Sequence, residues 1–113
     1  MVNRDYEVLN KILDETNVII ELIKGFDCAA FLLDERTKRA VSMTLINIGE
    51  LVKLLSDDFK QANTVIPWRK VAGLRDVAAH GYQILRMEDI WSTATTDVPV
   101  LQETIIKMIN SLK

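Results

Sequence analysis

Histidine occurs once in this chain, cysteine once, proline twice and glycine four times. The lone Cys28 excludes an intramolecular disulfide and any thiolate metal cluster. So few prolines and glycines cannot supply the tight turns of a sandwich or barrel, which leaves an all-helical domain as the expectation. No apolar run approaches the ~20 residues that a membrane-spanning helix requires. The opening Met1-Val2-Asn3-Arg4-Asp5 lacks the apolar core of a secretion signal, so the expected location is cytoplasmic. Neither sign of charge dominates: 14 Lys and Arg face 16 Asp and Glu, a net charge of −2, which excludes a generally basic nucleic-acid coat. A local basic cleft drawn from Lys38, Arg39, Arg69, Lys70, Arg75 and Arg86 stays open beside the plainer reading of a solvated mixed surface.

What is present is a globular composition. Hydrophobic residues form 49% of the 113 and charged residues 27%, enough for one core and one domain spanning 1–113. Leu9, Ile12, Leu13, Ile19, Ile20 and Ile23 recur at helical steps, so residues 4–24 read as a first helix. Asn3 is its expected N-cap and Gly25 its stop. A single turn follows over 27–33, and then a second long helix capped by Asp34 and running to about Leu55. Val41, Leu45, Ile48, Val52 and Leu55 mark its buried face; Met43 and Ile46 widen the apolar stripe, as a subunit interface would. Residues 56–64 read as a short turn or loop. Pro67 opens a third helix through Trp68, Val71, Ala72, Leu74, Val77 and Ala78 that frays at Gly81. A last stretch over 87–112 should kink or restart near Asp97-Val98-Pro99, with Asp97 available to cap its second part. The sum is an up-and-down bundle of four or five helices.

The polar chemistry concentrates in Arg75-Asp76-Val77-Ala78-Ala79-His80-Gly81-Tyr82. At 100° per residue, Arg75 and His80 lie about 140° apart on an unbroken helix and share a face only if the helix ends between them. Gly81 suggests such an end. Asp76, four residues before His80, shares its face and can fix the imidazole tautomer. Asn47 and Glu50 are neighbours on the second helix. Glu50 follows Gly49, a residue small enough for close backbone approach. It reads either as a surface carboxylate beside a packing glycine or as a polar group facing the histidine site.

Arginine and histidine without metal ligands or a nucleophilic side chain suit the cleavage of RNA. The substrate brings its own nucleophile, the 2′-OH. A neutral imidazole accepts a proton, an imidazolium donates one, and a guanidinium grips phosphate. One histidine per chain is sparse for both proton roles, and a two-fold dimer would double the set. The plainer reading makes His80 a helix-end residue that caps carbonyls, and Tyr82 a packing residue.

The run from Ile66 to Tyr82 resembles the signature of the HEPN superfamily, and more narrowly that of the HepT-like toxins paired with minimal nucleotidyltransferases. The resemblance rests on Arg75, four intervening residues, His80, one residue and Tyr82, with Asn47-Ile48-Gly49-Glu50 and Ile90-Trp91 as flanking matches. Asp76 stands where the family often has asparagine. The resemblance implies a metal-independent endoribonuclease of a type VII-like toxin–antitoxin system, with no cofactor and RNA as substrate. Two protomers would bring their motifs together in a homodimer, or in a higher assembly with the partner. Arg75 would hold the scissile phosphate, and His80 would act as general acid and base, leaving a 2′,3′-cyclic phosphate. Asp76, Glu50 and Asn47 would support them. The partner nucleotidyltransferase would transfer AMP to Tyr82. Two other readings stand beside it: a non-catalytic nucleotide-binding subunit of that transferase, and a purely structural dimer scaffold.

Overall fold

The computed structural model describes residues 4–81 and 87–112, and for Val77, His80 and Gly81 only the helical backbone. All regular structure among the described residues is helical. Helix α1 (Arg4–Ile23) follows the apolar stripe closely, with Val8, Leu9, Ile12 and Ile19 buried. It stops where expected: Gly25 takes φ +83°, a left-handed conformation that costs glycine nothing. The proposed cap Asn3 lies outside the described residues. Helix α2 (Cys28–Leu33) begins at Asp27, whose carboxylate accepts the Ala30 N–H at 2.8 Å. Asp34 then turns the chain in extended conformation and caps α3 (Glu35–Val52), accepting the Thr37 N–H at 2.9 Å.

Helix α3 is the spine. One side packs on α1, which in turn packs on the C-terminal helix; the other side receives the 68–81 segment. Val41, Leu45, Ile48 and Val52 are fully buried along it, each contributing roughly 1.5–3 kcal/mol of apolar burial. Phe31 fills the end of the core, with its ring centroid 5.1 Å from that of Trp91.

Three stretches depart from the sequence-based expectation. Residues 56–64 hold a short helix, α4 (Asp57–Ala62), where a short turn or loop was expected. Ser56 caps it by accepting the Phe59 N–H, and Ser56 in turn donates both its N–H and its hydroxyl to the Asp5 carboxylate at 2.7 Å. That bond to α1 fixes a helix start that no apolar period announces.

The expected third helix is two, α5 (Trp68–Ala72) and α6 (Leu74–Gly81), parted by Gly73 alone. Gly73 keeps helical dihedrals (φ −66°, ψ −13°) and its N–H reaches Arg69 O at 3.0 Å. Gly73 caps α5, and α6 starts afresh at Leu74.

The interruption near Pro99 is a π-helical turn, Thr93–Asp97, between α7 (Met87–Ser92) and α8 (Val98–Leu112). Val98 N–H bonds to Thr93 O, five residues back. The wider turn relieves the clash between a proline ring and the carbonyl four residues before it. Helical backbone runs on through Asp97, so there is no fresh helix start for Asp97 to cap.

Candidate nucleic-acid site at the α3–α6 junction

The site is built on an unusually close helix crossing. Gly49 on α3 faces the first turn of α6, and a side chain at 49 would collide with the α6 backbone. This contact brings the root of Arg75 down onto α3. The next residue, Glu50, then meets the tip: Glu50 Oε2 lies 3.1 Å from Arg75 Nε. Asp76 Oδ1 accepts from Arg75 Nη1, also at 3.1 Å. Glu50 thus stands beside a packing glycine and pairs with Arg75; the imidazole it was expected to face lies outside the described side chains.

A guanidinium has five N–H donors. Two are engaged here, leaving three on the Nη edge for an incoming anion. Arg75 is 44% exposed and Glu50 52% exposed, so solvent screens the pair and it holds by no more than ~1 kcal/mol. A phosphate that accepts two parallel N–H bonds from arginine competes well against such a pair.

The remaining candidates fall out as follows. Asp76 accepts from Arg75; the imidazole that the sequence suggested it would orient lies outside the described side chains. His80 lies in the last turn of α6, which is unbroken from Leu74 to Gly81. The expected helix end between Arg75 and His80 is therefore absent: Ala78 and Ala79 are strong helix formers and carry the turn past His80. The two residues leave one helix at positions about 140° apart. Tyr82 and Arg86 lie outside the described residues.

Asn47 is not at the arginine. One turn earlier on α3, its amide donates to Glu15 Oε1 at 2.9 Å. With Lys11, Asp14, Glu50, Leu51 and Leu54 these two residues line a groove of about 450 Å³ between α1 and α3. Glu50 thus sits on both the groove rim and the arginine. Glu15 was not foreseen, since only the packing of α1 on α3 pairs it with Asn47. Of the proposed basic cleft, Lys38 and Arg39 are tied to Glu35 on their own helix. Arg69 and Lys70 stay exposed on α5. Among the described residues no group of three or more His, Cys, Asp or Glu is placed to hold a metal ion, and no helix is long and apolar enough to cross a membrane.

An all-helical domain that presents a half-exposed arginine and the chain's only histidine on one short helix has the parts of an RNA-processing module. The model of a family described as "Ribonuclease HepT-like" matches residues 12–108, and the chain belongs to this HEPN family of HepT-like ribonucleases. A protein of Thermococcus cleftensis named as a probable ribonuclease HepT is 33% identical over 106 residues, covering 94% of each chain. A protein of Caldanaerobacter subterraneus subsp. tengcongensis, named as a candidate RNase, is 32% identical and covers 93% of this chain and 94% of its own. One from Methanocaldococcus jannaschii, also named as a candidate RNase, is 32% identical across 100% of this chain and 98% of its own. No solved structure gives a significant match.

Proposed function

We propose that this protein is a metal-independent endoribonuclease toxin, acting as a homodimer and silenced when a partner nucleotidyltransferase transfers AMP to Tyr82. The observation that carries the reading is the Arg75 guanidinium, held in place by Glu50 and Asp76 with three donors left over, five residues before the only histidine. In this mechanism one imidazole removes the proton from a ribose 2′-OH. The O2′ attacks the adjacent phosphorus, the Arg75 guanidinium stabilises the crowded phosphorane, and an imidazolium protonates the departing 5′ oxygen. The products are a 2′,3′-cyclic phosphate and a 5′-OH end, and no metal takes part.

The helix geometry supports a dimer. With Arg75 and His80 about 140° apart on one helix, a complete set is more readily assembled across a two-fold axis than within one protomer. Exposed apolar side chains on and beside α3, Met43 at 58% and Leu54 at 47%, are suited to such an interface. An AMP group on Tyr82 would add a phosphate to the motif that competes with RNA for the guanidinium.

The test is direct. Expression of the chain alone arrests growth, and the purified protein cuts RNA in the presence of a chelator. His80→Ala and Arg75→Ala lose the cleavage. Equal RNA degradation by wild type and His80→Ala would sink the assignment. Coexpression with an active nucleotidyltransferase adds AMP by intact mass, and Tyr82→Phe abolishes the addition. A second reading is favoured by the two carboxylates already on Arg75: a nucleotide-binding subunit that does no chemistry. It predicts nucleotide binding and a stable transferase complex without toxicity.

A further inference from the structure

The α5 segment carries two cations that the proposed mechanism does not use. Arg69 and Lys70 are both exposed, and neither has an acidic partner among the described residues. They differ in this from Arg75, which is committed to two carboxylates. Both cations stand on α5, which Gly73 alone separates from the helix that carries Arg75 and His80.

Below the two cations is a cleft of about 500 Å³ lined by Thr64, Ile66, Pro67, Trp68, Arg69 and Lys70. Its floor is apolar and stiff. Trp68 is 7% exposed, its indole N–H is bonded to Asn63 O at 2.9 Å, and its ring packs on Phe59 with centroids 6.0 Å apart. An apolar floor under two unpaired cations is a pairing that suits a nucleotide: a base has a flat apolar face and its phosphate a charge. A purely acidic ligand would make no use of the floor, and a purely apolar one would leave the cations idle.

We propose that Arg69, Lys70 and this cleft form a nucleotide subsite for single-stranded RNA. The cations grip two adjacent backbone phosphates of the strand, and the base between them lies against Pro67 and the edge of Trp68. The proposal rests on reading the chain as a ribonuclease acting through Arg75 and His80.

The test pairs binding with cleavage, using Arg69→Ala/Lys70→Ala, two exposed changes whose folding is checked by thermal melt. Binding of a labelled single strand of about a dozen nucleotides is measured in a His80→Ala background as salt is raised. The double change weakens binding about tenfold and flattens the slope of log K against log salt by about 1.4, the contribution of two single-strand phosphate contacts. In the catalytically intact chain it raises KM for the long strand about tenfold at constant kcat, while a dinucleoside monophosphate is cut as by wild type. An unchanged salt slope overturns the subsite, as does equal loss on both substrates. Intact RNA binding with loss of a nucleotidyltransferase complex also overturns it, and makes the face a protein surface. If wild type cuts neither substrate, the ribonuclease reading fails, while the binding slope still decides whether the cations hold RNA.

Discussion

Gly49 on α3 and Arg75 on α6 meet backbone to backbone: a Cβ at 49 would stand 2.7 Å from both the Cβ and the N of Arg75, and 2.8 Å from Ala72 O. Two of those atoms belong to main chain, which cannot swing aside. Gly49→Ala must therefore push α6 outward. We expect a loss of roughly 1–3 kcal/mol, the range for overpacking a tight contact, seen as a Tm drop of about 4 °C for each kcal/mol. RNA cleavage should fall further than the residual folded fraction explains, because the displaced helix carries Arg75. A melting curve superimposable on wild type would mean that the crossing is looser in solution.

Glu50 separates stability from function. Its ion pair with Arg75 is half exposed, so Glu50→Ala should change stability by less than ~1 kcal/mol. Its effect on cleavage should be larger, since the guanidinium loses the group that orients it. We expect kcat/KM to fall about tenfold. Glu50→Gln keeps an oxygen that accepts from Arg75 Nε and should stay within about threefold of wild type. If both changes raise activity alike, the carboxylate competes with phosphate instead of positioning the arginine.

The long elements were legible because their apolar residues repeat at helical steps and their ends carry chemical signals. Asp34 and Gly25 show this well, one capping α3 and the other taking a left-handed turn. Helix α4 was hidden because its start depends on Ser56 bonding to Asp5, fifty-one residues away in sequence. The π turn was half legible: Pro99 announced trouble, but not that the helix would widen rather than stop. At the site, Gly49 and Glu50 were readable as neighbours on one helix, whereas the binding of Arg75 by Glu50 needed α6 to be laid across α3. Asn47 shows the reverse. The family resemblance grouped it with the motif residues, and its partner Glu15 became visible only once α1 was packed on α3.

Phe31 tests the core independently of the site. It is fully buried and its ring lies against Trp91 with centroids 5.1 Å apart, so the short α2 is anchored to α7 through this pair. Phe31→Ala should cost about 3–5 kcal/mol, a large part of the ~5–15 kcal/mol that holds a domain of ordinary stability. Denaturant unfolding should show a lower midpoint with little change in slope. A loss under about 1 kcal/mol would indicate that α2 swings away without disturbing the rest.

Arg75→Lys asks what the guanidinium supplies beyond charge. Lysine keeps the positive charge, and it can still pair with Glu50. It cannot donate two parallel N–H bonds to a phosphate while remaining tethered to two carboxylates, because its single ammonium has three donors on one atom. Were the site only an electrostatic attractor for RNA, the exchange would leave binding and cleavage nearly unchanged. A guanidinium that stabilises the phosphorane must instead match its equatorial oxygens, a geometry lysine does not reproduce. We therefore expect RNA affinity within about threefold of wild type and kcat lower by about 10²–10³. Cleavage at the wild-type rate would assign Arg75 to strand binding alone and move the stabilising charge to another residue.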